Sequence, residues 1–130
     1  MIDEELTEKI IKAFYKVYNS LGYGFLERVY ERAMCLEFGK SGIIFESQVP
    51  IRVFYDGDVV GDYVADFVVG EKVIVEIKAL RVMSSADENQ LLNYLTCTNK
   101  EVGLLLNFGE KAEIKRKVYD NELKKYLGGK

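Results

Sequence analysis

The stretch from Ile43 to Ala79 constrains this chain most. It is rich in β-branched and aromatic residues, and turn signals at Tyr55-Asp56-Gly57-Asp58 and Gly70-Glu71-Lys72 cut it into three strands. Asp-Gly is a strong hairpin signal, so the strands meander. They are read as one strand ending near Tyr55, a second over Val59–Val69 and a third over Val73–Ala79. Pro50 lacks an N–H to donate, which places the first strand at a sheet edge or interrupts its pairing there. Such strands need covering, and the flanking sequence has the period to do it. Leu6, Ile10, Phe14, Val17 and Leu21 recur at helical spacing, with Gly22 as the C-terminal cap. Leu26, Val29, Tyr30, Ala33 and Leu36 mark a second helix over Leu26–Gly39. Beyond the strands, Ser84, Ser85 and Asp87 are candidate N-caps for a third helix over Asp87–Thr98. Val102–Phe108 is a continuous apolar run of the buried-strand type. Ala112, Ile114 and Val118 alternate with charged residues as in a solvated strand, and Asn121–Leu127 predicts a short helix. The order ααβββαββ describes an α+β chain, an α/β-type sandwich in which helices flank one mixed sheet.

Length and composition limit the chemistry. A chain of 130 residues is expected to form a single domain over 1–130 and to bury roughly two-thirds of its unfolded surface. With 48% hydrophobic and 30% charged residues it is neither disordered nor collagen-like nor a disulfide-dense mini-protein. Its 18 basic and 21 acidic residues leave a formal charge of -3, so a nucleic-acid role needs a local basic patch or a bound metal. The chain has no histidine, which excludes Ser-His-Asp and Cys-His catalysis and His-ligated zinc. Cys35 and Cys97 each sit in an apolar helical pattern and read as buried free thiols of a reducing compartment. No apolar run approaches the ~20 residues of a membrane span. The acidic start Met1-Ile2-Asp3-Glu4-Glu5 lacks a basic n-region. A cytoplasmic protein with no membrane partner is expected. Its catalysis, if any, must use carboxylates, lysines, tyrosines or a metal.

The charged residues of the second and third strands are the most informative. Val73, Val75 and Ile77 alternate with Ile74, Glu76 and Lys78. Ala65, Phe67 and Val69 alternate with Val64, Asp66 and Val68. A three-residue loop over Gly70-Glu71-Lys72 makes the apolar faces coincide and sets Asp66 opposite Glu76, with Lys78 on the same face; a two-residue loop scrambles them. Carboxylates so placed have Cβ atoms about 5 Å apart and repel. An oxygen-liganded divalent ion such as Mg²⁺ relieves this, and Lys78 reaches the same space. A surface Glu-Lys pair beside an unrelated Asp remains the alternative at this point.

Asp66, a hairpin and then Glu76-Ile77-Lys78 resemble the signature of the PD-(D/E)XK nuclease superfamily, with Ala65 where many members have proline. Gln90-Leu91-Leu92-Asn93-Tyr94 is similar to the Gln-x-x-x-Tyr motif of its RecB-like branch. Gly24-Phe25-Leu26-Glu27-Arg28-Val29-Tyr30 resembles the motif that names the GxxExxY family. The resemblance runs from about Leu6 to Val118. It implies a restriction-endonuclease-like core and a nuclease that uses Mg²⁺ (or Mn²⁺) held by Asp66, Glu76 and the backbone carbonyl of Ile77. It further implies Glu27 as another ligand or a partner of Lys78, Lys78 orienting the attacking water, Gln90 positioning groups around it, and Tyr30 and Tyr94 in support. Each upstream residue also has a plain structural reading. Glu27 suits a helix first turn, Tyr30 suits a core, and Gln90 with Tyr94 suits a polar seam between helix and sheet. The implied partner is nucleic acid, with DNA expected, in a setting such as DNA repair or defence; a homodimer is left open. The rival reading is a catalytically inactive nuclease-fold binding or regulatory module. Lys111, Lys115, Arg116, Lys117, Lys124 and Lys125 form a basic stretch that suits either a solvated face or a nucleic-acid backbone.

Overall fold

A computed structural model describes residues 3–124. Helices α1 (Glu4–Leu21) and α2 (Glu27–Lys40) precede strands β1 (Phe45–Tyr55), β2 (Asp58–Val69) and β3 (Val73–Lys78). Helix α3 (Ser85–Thr96), strands β4 (Val102–Phe108) and β5 (Ala112–Val118) and a 3₁₀ turn at Asn121–Leu123 complete the order. The sheet runs β1-β2-β3-β4-β5, antiparallel except for the β3–β4 pair. That pair is parallel because α3 carries the chain back across the sheet between them, as parallel neighbours require. The fold is α+β with a mixed sheet, as the periodicities predict. Asp56 and Gly57 both take positive φ, 50° and 84°, the backbone that a two-residue Asp-Gly hairpin needs. Pro50 lies on edge strand β1, opposite Val64.

Two apolar layers sandwich the sheet. On one face, Ile10, Phe14 and Val17 of α1 and Tyr30, Met34 and Phe38 of α2 pack on Phe67, Val69, Val73, Val75, Ile77, Leu104, Leu106 and Phe108. Phe108 is the pivot of this layer. Tyr30 stacks on it at 4.1 Å and Phe14 meets it edge-on at 4.8 Å. On the other face, Leu91, Tyr94 and Leu95 of α3 cover Ile51, Ala65, Val68, Ile74 and Leu105. Gly103 lets this helix come close, since a Cβ there would lie 2.6 Å from Leu91 Cδ1.

Four expectations change. α3 starts at Ser85 and not Asp87, because Ser84, one of the three candidate N-caps, takes that position and forms a capping box with Asp87. The short C-terminal helix reduces to the 3₁₀ turn, and the rest of that expected element lies outside the described residues. Cys35 and Cys97 are free but half-buried rather than buried. Ala65 does not share a layer with Phe67 and Val69; it packs under α3. The strict alternation along β2 is therefore broken at Asp66. Among the described residues no helix is long and apolar enough to cross a membrane.

Asn107 fixes the end of β3. It is fully buried and pairs with Lys78 across the β3–β4 ladder. Its Oδ1 accepts from the Leu80 N–H at 2.8 Å, and its Nδ2 donates to the Leu80 carbonyl at 2.8 Å and to Glu113 Oε1 at 3.0 Å. Asn107→Ala leaves both Leu80 backbone groups without these partners and is expected to cost about 2–4 kcal/mol. Asn107→Asp adds a carboxylate facing Glu113 and the Leu80 carbonyl, and is expected to cost at least as much. Urea unfolding of the two variants checks this ranking.

Candidate active site

The site grows from the place where β2 and β3 part. Their ladder pairs Val69 with Val73, Val68 with Ile74 and Phe67 with Val75, the register of the three-residue loop. The next step would pair Asp66 with Glu76, and there side chains replace the ladder. Glu76 Oε2 accepts from the Asp66 backbone N–H at 2.7 Å, and Asp66 Oδ2 accepts from the Ile77 backbone N–H at 2.7 Å. Each carboxylate thus caps the opposite strand. In an antiparallel pair both peptide groups of one residue face the same neighbour, so the Ile77 carbonyl is directed into the same gap as its N–H. On the other side of β2, the pairing with β1 is interrupted at Gln48 while the register stays the same. Ser47 pairs with Phe67 and Val49 with Ala65, while Gln48 takes a left-handed φ of 54°. This irregularity lies opposite Asp66 and coincides with its departure from the alternation of β2.

Helix α2 supplies two more carboxylates. Glu27 and Glu31 are one turn apart on the same face. Single oxygens of Glu27, Glu31 and Asp66 all lie within 4.8 Å of one another. Gln48 Nε2 donates to Glu31 Oε1 at 3.1 Å. Glu31 belongs to none of the sequence motifs; its only signal there is its place four residues after Glu27.

All four acids are harder to ionise than free carboxyls. Burial pushes Glu76 up to about 8, the Asp66 charge adds to this, and the Asp66 N–H and Lys78 oppose it. Burial likewise lifts Glu31 to about 7, helped by the charge of Asp66, a hydrogen bond with it, and the charge of Glu27. Asp66 is raised by burial against the pull of the Ile77 N–H, the Glu31 hydrogen bond and Lys78. Glu27 is raised by burial and then by Asp66, with Lys78 opposing. The hydrogen bond between Glu31 and Asp66 raises the first and lowers the second. In this crowd a proton does what a cation would do. The donors are all oxygen, which suits a hard divalent ion.

The remaining predicted residues divide. Lys78 is half-buried and its charge bears on Glu27, Asp66 and Glu76. Tyr94 is buried against the sheet, and its hydroxyl pKa is pushed up to about 12, first by burial and then by the charges of Glu76, Asp66 and Tyr63. Gln90 is half-buried on α3, one turn before Tyr94. Tyr30 stands apart from the carboxylates. Its ring is 0% exposed, and its hydroxyl donates to the Gly22 carbonyl at 2.6 Å and accepts from the Phe25 N–H at 3.2 Å. It locks the α1–α2 turn. Gly24 in that turn has φ 119°, a backbone that disfavours a side chain. Together they set where α2 begins, and so where Glu27 and Glu31 point.

The profile of the PD-(D/E)XK nuclease superfamily matches residues 4–117. The chain belongs to this superfamily. Its three helices and five-strand mixed sheet are those of a restriction-endonuclease-like core. Nucleases of this superfamily use divalent metals, and the acidic cluster is compatible with one. Neither the curated proteins nor the solved structures contain a match to the chain.

The raised values carry a pH signature. Between about 4.5 and 8 the folded protein holds protons on Glu76 that the unfolded chain has released. Stability from this group is complete below the unfolded value and is lost as pH rises through the folded one. The metal-free protein should therefore melt at progressively lower temperature from about pH 5 to about pH 8.5. Glu76→Gln, which mimics the protonated acid, should remove much of that decline. A wild-type melting temperature that climbs across the same range would contradict this.

Proposed function

We propose that the protein is a metal-dependent nuclease that hydrolyses phosphodiester bonds of nucleic acid, with DNA as the first substrate to test. The observation that carries this reading is the convergence of Glu27, Glu31 and Asp66 from two elements beside Glu76 and Lys78. Such crowding destabilises a protein with nothing to gain from it. Asp66, Glu76 and the Ile77 carbonyl would hold Mg²⁺ or Mn²⁺, with Glu27 and Glu31 completing the oxygen set. When bound, the ion lowers the pKa of a water and neutralises charge on the scissile phosphate. Lys78 would donate a hydrogen bond that orients a water, and would meet the negative charge that develops on the phosphorus oxygens. Gln90 and Tyr94 border the same space from α3 and position groups within it.

The GxxExxY family is the subfamily we infer within the superfamily. Gly24 and Tyr30 shape and lock a turn, and Glu27 is the group the turn delivers. This division of labour explains why the three residues form one motif although Tyr30 does not reach the carboxylates. A RecB-like affinity rests on Gln90 and Tyr94 lying one turn apart on α3. Free thiols at Cys35 and Cys97 fit the reducing cytoplasm.

Asp66→Asn and Lys78→Ala should each lower Mg²⁺-dependent cleavage by a factor on the order of 10²–10³ or more while leaving the fold intact. Asp66→Asn should also raise the metal-free stability by about 1 kcal/mol through relief of like-charge repulsion. Cleavage of single- and double-stranded DNA and RNA, alongside far-UV circular dichroism, checks both points. Full activity in both variants would refute the assignment. A wild type that binds but never cleaves would favour the inactive binding module.

A further inference from the structure

The nuclease reading leaves open how the chain grips its substrate, because its charges are poorly disposed to do so. Binding to duplex backbone depends on Lys and Arg that release counterions. Here the charge of Lys78 bears on Glu27, Asp66 and Glu76, in a cluster of four acids. Several basic side chains elsewhere are engaged. Lys117 is 2.9 Å from Glu88, Lys16 is 3.1 Å from Glu37 and Arg81 is 3.1 Å from Glu110. Lys124, from the basic stretch, is buried with its amino group on the Thr98 and Lys100 carbonyls.

What the site does have beside it is an exposed aromatic. The β2–β3 ladder begins only at Phe67, so β2 upstream of Asp66 pairs with β1 alone and the two strands form an arm. Between Val49 and Val64 the arm carries Asp56, Asp58 and Asp62 against Arg52, so it offers no basic groove. Tyr63 lies three residues before Asp66, about 10 Å along an extended strand. Its side of the arm faces α3. The Tyr63 ring centroid is 5.8 Å from that of Tyr94, whose phenol feels the charges of Glu76 and Asp66. Tyr94 is buried and fixed, whereas Tyr63 is 44% exposed. Tyr63 is therefore a held ring with a free surface next to the carboxylates.

An aromatic face binds any base by stacking, without charge and without sequence preference. In a duplex the faces of the bases are covered by their neighbours, so only an unpaired or terminal base can use it. A ring this close to Asp66 is within a few stacked nucleotides, at about 3.4 Å each, of a phosphate at the carboxylates. We propose that Tyr63, braced by Tyr94, is the stacking platform for an unpaired base flanking the scissile phosphate, and that the preferred substrate is single-stranded or frayed nucleic acid. This rests on the nuclease reading for its scissile phosphate, and on the arm and its charges for its substrate class.

The test uses the full chain and a fluorescent oligothymidylate, alone or annealed to its oligoadenylate complement. Equilibrium binding is measured by anisotropy with Ca²⁺ in place of Mg²⁺, and cleavage is measured with Mg²⁺. Tight binding of the single strand is expected, with about a tenfold or greater loss in Tyr63→Ala and near-full retention in Tyr63→Phe. Weak duplex binding, equal in all three proteins, is expected alongside. Single-strand affinity unchanged by Tyr63→Ala, or a wild type that prefers the blunt duplex, overturns the platform whatever the cleavage result. Tyr63-dependent binding with no Mg²⁺-dependent cleavage keeps the platform and overturns the nuclease reading instead.

Discussion

The reciprocal capping of β2 and β3 is the interaction on which the rest depends. Where the ladder stops, the Asp66 N–H goes to Glu76 and the Ile77 N–H goes to Asp66. Two backbone donors that would be costly to leave unpaired are satisfied by side chains. In return, two carboxylates are fixed in position and half desolvated. The strands are held apart at that point, which directs the Ile77 carbonyl into a gap and not into a ladder. The site is thus an interruption of the sheet, made by residues that also compensate for the interruption.

Everything around this point holds it in place from a distance. Phe108 anchors Tyr30, and Tyr30 ties the α1–α2 turn, so the first two turns of α2 present Glu27 and Glu31 to Asp66. Asn107 clasps Leu80 just past β3, which keeps Lys78 in register with β4. Gln48, strained on β1, reaches Glu31 from the opposite side. The apolar layers supply the rigidity. The polar residues at their boundary supply the convergence of negative charge, which protons relieve in the absence of a cation.

Much of this was legible in the sequence because its period was. The meander, the two N-terminal helices and the buried strand Val102–Phe108 follow from apolar spacing, and the Asp66–Glu76 register follows from requiring the apolar faces to coincide. Three things were not legible. The broken alternation at Asp66 lies opposite the left-handed Gln48 of β1, and a pairing defect between distant segments leaves no local pattern. Alternation alone therefore places Ala65 in the wrong layer. Glu31 was visible as an i+4 neighbour of Glu27, but such pairs are common on solvated faces, and only the placement of α2 over the sheet separates the cases. Tyr63 was one tyrosine among nine, and its exposure beside a buried partner is a tertiary property.

The central claim is that the carboxylates are gathered for a divalent cation, and the response of folding stability to metal tests it without any substrate. Thermal melts of wild type and Asp66→Asn with and without Mg²⁺, near pH 8 where the acids can release their protons, are the direct measurement. A site present only in the folded state stabilises it by mass action, about 2.7 kcal/mol at a hundredfold excess over the dissociation constant. The wild type should gain several degrees on adding Mg²⁺ and Asp66→Asn much less. Equal shifts in the two proteins, or none in either, would contradict the claim.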